Sequence, residues 1–146
     1  MSIEKYEETL PVEEMVEKAM KAMEWSYSPY SGFKVGACLL TSDGEYYTGC
    51  NIENAAYTPT NCAERTAFFK AVSEGKREFR AICIVNENGN GEHDFCAPCG
   101  VCCQVMMEFC DPDSFAVLLA KSSNEYRCYL LKELLPLGFG PDNLKG

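Results

Sequence analysis

Apolar residues at Val12, Met15, Val16, Ala19, Met20 and Met23 recur at three- and four-residue steps, which lays one stripe along a helix over residues 12–23. Pro11 stands where a first-turn proline is tolerated. Ser28-Pro29-Tyr30-Ser31-Gly32 breaks the pattern. Residues 33–41 and 45–52 are apolar and β-prone on either side of Ser42-Asp43-Gly44, so they predict a hairpin. A loop is expected over 51–61. A second helix is expected over 62–74, with Ala63, Ala67, Phe68, Ala71 and Val72 on one face, Asn61 or Thr60 available as a cap and Gly75 as a stop. Residues 79–85, apolar apart from Arg80, form a run of strand length, as in a strand covered on both faces. A Gly- and Asn-rich loop over 86–94 leads to Pro98, which opens a third helix running to 110. Strands over 115–120 and 126–131 follow. The tail over 133–146 starts helical and is broken by Pro136, Gly138, Gly140 and Pro141.

Strands that alternate with crossover helices imply an α/β fold, a three-layer α/β/α sandwich with a mixed sheet of about five strands. The 146 residues suit a single domain over 1–146. No apolar run reaches the roughly 18 residues that a spanning helix needs, so no membrane partner is expected. The first ten residues are acidic and polar where a secretory leader would be basic and then apolar, which points to the cytoplasm. That compartment matters for the 10 cysteines, because reduced thiols are free for metal or catalysis. A disulfide-stapled secreted fold is the competing reading. A net charge of −9 repels phosphate backbones, so a long nucleic acid is disfavoured and a small, weakly charged ligand suits the chain better.

Pro98-Cys99-Gly100-Val101-Cys102 places two thiols one helical turn apart at a helix start, where the dipole favours thiolates. Spacing alone leaves redox chemistry, structural zinc and catalytic zinc open. Cys62-Ala63-Glu64 lies at the start of the preceding helix. If both helices lie on one sheet face and begin at the same edge, Cys62 comes beside Cys99 and Cys102. Three thiolates bind tetrahedral zinc and leave one position for water, whereas a fourth thiol from Cys50, Cys96 or Cys103 would close the site as a structural one. Glu64 would project toward the open position and exchange protons there, or else complete a capping box with Asn61.

Cys62-Ala63-Glu64-Arg65-Thr66-Ala67 and Pro98-Cys99-Gly100-Val101-Cys102 resemble the small, homotetrameric, zinc-dependent type of cytidine deaminase. The likeness runs from Ser28-Pro29-Tyr30-Ser31 to Phe139-Gly140-Pro141. It implies one Zn2+ per subunit on Cys62, Cys99 and Cys102, with Glu64 as the catalytic proton carrier, the chemistry established for zinc deaminases as a class. It further implies that Asn51 and Glu53 bind the ribose hydroxyls, that Phe33 packs on the pyrimidine, and that backbone near Ala63 and Cys99 reads the base edge. Tyr57 and Phe139 are implied as pocket residues supplied to a neighbouring subunit, and Arg65 as a donor to the ligand sulfurs. The implied activity is deamination of free cytidine and deoxycytidine in pyrimidine salvage, by a homotetramer with shared sites. A deaminase of a cytosine-containing antibiotic such as blasticidin S, and a zinc-stabilised module without turnover, are the alternatives.

The family pattern continues with Arg-Gln where this chain has Cys103-Gln104. Three thiolates on a divalent ion leave a negative centre, so nearby cations matter. Arg65 and two helix N-termini are expected to supply the compensation. Cys103, four residues after Cys99, either competes for metal or fills the core in a stripe with Met107 and Cys110, and helical spacing favours the core. His93, the only histidine, is expected to be a solvated loop residue. Cys38, Cys83 and Cys128 are expected to be buried packing residues.

Overall fold

In the computed structural model, which describes residues 3–145, the first hairpin sets the direction of everything that follows. Strands β1 (Lys34–Thr41) and β2 (Tyr46–Cys50) pair antiparallel, with Gly36 opposite Cys50 and Leu40 opposite Tyr46. The turn closes when Gly44 donates to the Thr41 carbonyl, and Gly44 takes φ +88°, a conformation open to glycine. Strand β3 (Phe79–Glu87) pairs antiparallel with the other edge of β1. Both β2 and β3 therefore run opposite to β1, and their C-terminal ends reach the same edge of the sheet. Helices α3 (Ala63–Ser73) and α4 (Gly100–Phe109) follow those two strands and begin at that edge. Strand β4 (Ala116–Ser122) joins β3 in parallel, with α4 as the crossover that a parallel pair needs. Strand β5 (Glu125–Leu130) completes the order β2-β1-β3-β4-β5.

Alternation along the strands divides the core in two. Ala37, Leu39, Ile82 and Ile84 face α3 and α4, where the Phe68 ring meets Phe79 at 5.1 Å and Phe115 at 6.0 Å. Cys38, Leu40, Cys83 and Val85 face helix α2 (Val12–Met23) through Met15, Val16, Ala19 and Met23. Helices thus cover both faces of a five-stranded mixed sheet, the three-layer arrangement expected.

The differences from the expected pattern are local. Helix α1 (Ile3–Glu8) forms in the acidic, polar start, for which the sequence pattern predicts no element. Cys62 and Cys99 are caps in extended conformation and lie just outside their helices, so α3 starts one residue and α4 two residues later than expected. Neither Asn61 nor Thr60 caps α3. Ile52 leaves β2 for isolated bridges to Tyr27 and Asn61, while β3 runs on through Asn86 and Glu87. Cys38 and Cys83 are buried, but Cys128 on the edge strand β5 is only half-buried. The tail forms α5 (Leu131–Leu134) and a 3-10 turn (Pro141–Asn143).

The start of α3 lies directly on Gly49 of β2. A Cβ added there would meet the Ala63 carbonyl and the Ala67 nitrogen, each at 2.6 Å, whereas one added at Gly89 meets nothing within 4 Å. Gly49→Ala should therefore cost about 1–3 kcal/mol through overpacking against backbone, while Gly89→Ala stays near zero. Denaturant midpoints of the two variants check this, and equal midpoints would remove the constraint.

Candidate active site

Two helix starts at one edge bring three sulfurs together. The Sγ atoms of Cys62 and Cys99 are 3.8 Å apart, those of Cys99 and Cys102 are 3.5 Å apart, and all three lie within 4.8 Å of one another. Ligands at about 2.3 Å in a tetrahedron stand about 3.8 Å from each other, so the spacing fits a zinc ion held by three thiolates. The fit extends to charge. The N-termini of α3 and α4 both face the cluster, and Arg65 Nη2 donates to Cys62 Sγ at 3.4 Å. Hydrogen bonding from Cys102, with help from Arg65 and Cys99, pulls the Cys62 thiol down to about 5. Cys102 is pushed up in turn by its bond to Cys62 and by burial. Arg65 Nε is buried and has no partner among the described residues.

Glu64 is 4% exposed in the first turn of α3. Burial pushes its carboxyl up to about 7, into the range where a group both takes and gives protons at neutral pH. The capping-box alternative does not hold. The Asn61 N–H donates to the Ile52 carbonyl at 2.9 Å, and its side-chain amide donates to Thr66 Oγ1 at 3.1 Å. The spare thiols stay out of the cluster as well. Cys103 is 2% exposed in the α3/α4 core and directs its Sγ at the Pro98 carbonyl, 3.8 Å away. Desolvation raises that thiol to about 11 and keeps it neutral.

A cavity of about 280 Å³ opens beside the sulfurs. Phe33, Asn51, Glu53, Cys62, Ala63, Glu64 and Cys99 all line it, while Cys102 lies buried behind them. Asn51 Oδ1 accepts from Ser26 Oγ and from the Val35 N–H at 2.9 Å, and Nδ2 donates to the Phe33 carbonyl at 2.8 Å. One amide hydrogen is left over. Glu53 Oε1 accepts from the N–H groups of Tyr30 and Ser31 at 2.9 and 3.2 Å, and Oε2 accepts from Ser31 Oγ. The Ser31 hydroxyl, followed by those backbone donors, holds the Glu53 carboxyl below its usual range, so it is an acceptor at neutral pH.

Two expected pocket residues are not gathered in by this single chain. Tyr57, 76% exposed and at φ +62°, lines an adjoining cavity with Tyr30 and Asn54, which Ser31, Glu53 and Thr60 also border. Phe139 is exposed beside α4, where its carbonyl accepts from Gln104 Nε2 at 2.8 Å. His93 lies in the loop as expected, with Nδ1 against the Asn86 carbonyl at 2.7 Å. Sequence reasoning missed Ser26, Ala97 and the role of Ser31 as donor to Glu53, while Cys96, weighed there as a fourth thiol, lines the cavity instead. Ser26 falls between the first helix and the break at Ser28-Pro29-Tyr30-Ser31-Gly32, Ser31 lies inside that break, and Cys96-Ala97 immediately precede Pro98 and the Cys-x-x-Cys motif.

The model of the family described as "Cytidine and deoxycytidylate deaminase zinc-binding region" matches residues 11–118. The chain is 46% identical over 135 residues to cytidine deaminase of Sporosarcina psychrophila, which covers 92% of this chain and 96% of that one. It is 44% identical over 130 residues to cytidine deaminase of Halalkalibacterium halodurans, covering 89% and 95%. The crystal structure of cytidine deaminase from Burkholderia pseudomallei superposes with a TM-score of 0.78 at 46% identity, over 86% of this chain and 97% of that one. That from Mycobacterium tuberculosis gives 0.76 at 34% identity, over 90% and 98%. The matched zinc-binding region and the three-thiol cluster agree on zinc as the cofactor.

Arg65→Ala should weaken zinc binding about 10- to 100-fold, the usual cost of losing a partner of a metal ligand, with the far-ultraviolet spectrum unchanged. Competition with a chelator measures it, and unchanged affinity would remove Arg65 from the centre.

Proposed function

The chain belongs to the cytidine and deoxycytidylate deaminase family, and we propose that it hydrolyses free cytidine and deoxycytidine to uridine and deoxyuridine, with Glu64 carrying the protons. The enzyme is a zinc-dependent hydrolase. The observation that carries the residue assignment is a buried carboxyl, raised to about 7, between a three-thiol cluster and an open cavity.

Cys62, Cys99 and Cys102 would hold the zinc, which when bound would lower the pKa of a water beside it toward neutral. Glu64 accepts the proton from the attacking water and passes one to the ring nitrogen of cytosine as C4 becomes tetrahedral. It then takes the remaining proton from the C4 hydroxyl and delivers it to the departing amine, so that ammonia leaves as the carbonyl of uridine forms. Water and cytidine are consumed and ammonia and uridine produced, so the carboxylate ends as it began.

Substrate placement follows from the same lining. Phe33 offers an apolar face to the pyrimidine, and backbone at Ala63 and Cys99 meets the base edge. The spare amide hydrogen of Asn51 and the carboxylate of Glu53 supply one donor and one acceptor to a sugar hydroxyl pair. Tyr57 and Phe139, both exposed, fit a homotetramer in which each completes a neighbour's site, an assignment that also accounts for apolar rings left in water. The whole of 1–146 acts as one domain. A cytoplasmic location agrees with cysteines that are unbridged among the described residues. No helix of the described residues is long and apolar enough to cross a membrane.

Glu64→Gln should lower kcat for cytidine about a hundred- to ten-thousandfold, the usual contribution of a general acid–base, with zinc content unchanged. Loss of cytidine absorbance alongside metal analysis decides it. A parent protein full of zinc but without turnover would leave a zinc-stabilised module, and turnover of blasticidin S alone would leave the antibiotic reading. Glu53→Gln should cost about 1.5–3 kcal/mol, roughly ten- to a hundredfold in kcat/KM for cytidine, by weakening a charge-assisted hydrogen bond. An unchanged kcat/KM would exclude Glu53 from the sugar site.

A further inference from the structure

Four polar or charged residues are buried among those described: Thr41, Asn51, Glu64 and Asn86. Thr41 closes the β1–β2 hairpin through Glu45, and Asn51 and Glu64 face the cavity. Asn86 has no part in either. It is 1% exposed near the end of β3, in register with Val35, which lines the cavity from β1. A buried amide is costly unless its donors and acceptors are met, and a fully met one rigidifies what it joins. Asn86 spends its side chain on one distant residue. Its Nδ2 donates to the Asp94 carbonyl, and its Oδ1 accepts the Asp94 N–H at 3.3 Å. From the solvent side, His93 Nδ1 meets the Asn86 carbonyl at 2.7 Å.

Beyond Asp94 the chain runs through Phe95, Cys96, Ala97 and Pro98 to Cys99. Cys96, Ala97 and Cys99 form one wall of the cavity. Among the described residues, 95–98 make no backbone–backbone hydrogen bond. Their anchors are side chains. The Phe95 ring sits against Arg127 at 4.2 Å and Lys121 at 4.7 Å, and the Pro98 carbonyl faces Cys103. Asn86 is the one point where this segment is tied into the sheet by a two-way polar contact.

We propose that Asn86 is a positioning residue: through the backbone of Asp94 it fixes the Cys96–Cys99 wall, and with it the sulfur of Cys99, relative to the sheet edge where α3 begins. The inference rests on Cys99 as a metal ligand only in its consequence for zinc; the clamp itself stands on the contacts of Asn86. Loss of the clamp opens the wall locally while the sheet stays closed.

The test compares the zinc-loaded parent with Asn86→Ala, using alkylation by N-ethylmaleimide read peptide by peptide in a mass spectrometer. Cys96 reports the wall, and Cys38 and Cys83, buried between sheet and α2, report global opening. In the variant, Cys96 should react about tenfold faster while Cys38 and Cys83 keep the parental rate, the pattern of a sub-global opening. Zinc should pass to a chelator about tenfold faster. If Asn86→Ala does not fold, His93→Ala removes the solvent-side contact and should give a smaller rise confined to Cys96. Equal acceleration of all three thiols, or none at Cys96, overturns the proposal. A parent that holds no zinc or does not deaminate cytidine counts against the functional reading, and the thiol ratios still decide the clamp.

Discussion

Three thiols within 4.8 Å of one another repel as thiolates, and the architecture around them is arranged to make that proximity tolerable. Like charges this close disfavour common ionisation unless positive charge lies beside them. Here it comes from two helix N-termini and from Arg65. The helix starts converge because β2 and β3 both run antiparallel to β1 and so end at one edge. Gly49 then lets α3 settle directly on β2. Backbone direction, one glycine and one arginine thus precede any chemistry at the site.

The same constraint gives meaning to Cys103. A residue there follows Cys102 directly, where a cation would add to the compensation that Arg65 provides. In this chain it is a neutral thiol in the core cluster that also holds Met106, Met107 and Phe68. A neutral group at that place neither competes for the ion nor adds to its negative surroundings. The compensating side chain is left to Arg65, whose unpaired Nε marks a guanidinium held by the cluster on one side only.

Much of this was legible in the chain itself. The Met15, Val16, Ala19, Met23 stripe and the apolar run ending at Val85 have the periods of a helix and of a covered strand, and they appear as such. The pairing of Cys62 with Cys99 and Cys102 followed from the order of elements. What escaped was contact that leaves no period. Cysteines serve as the helix caps, so α3 starts one residue later than a cap at Asn61 predicts and α4 two residues later than a start at Pro98 predicts. Ser26 and Ser31 act across 25 and 22 residues of sequence, on Asn51 and Glu53, through single hydroxyls. Asn86 reads as the first residue of a polar loop, although its amide is the last polar group that β3 buries.

Charge also bears on which substrate the pocket suits. Its acidic lining residues are Glu53 and Glu64, and no lysine or arginine joins them. A phosphate on the sugar would meet the Glu53 carboxylate, which Ser31 and two backbone donors hold ionised, within a chain of net charge −9. Sugar hydroxyls placed there as proposed would meet a different prospect. Asn51 has one hydrogen to give after its internal bonds, and Glu53 has acceptor capacity on Oε2 beyond the Ser31 hydroxyl. One donor and one acceptor answer a hydroxyl pair and leave nothing to neutralise an anion. The internal bonds that use up most of Asn51 and Glu53 therefore do more than hold the loop, because the capacity they leave free matches an uncharged sugar, and that argues for the nucleoside over its phosphate.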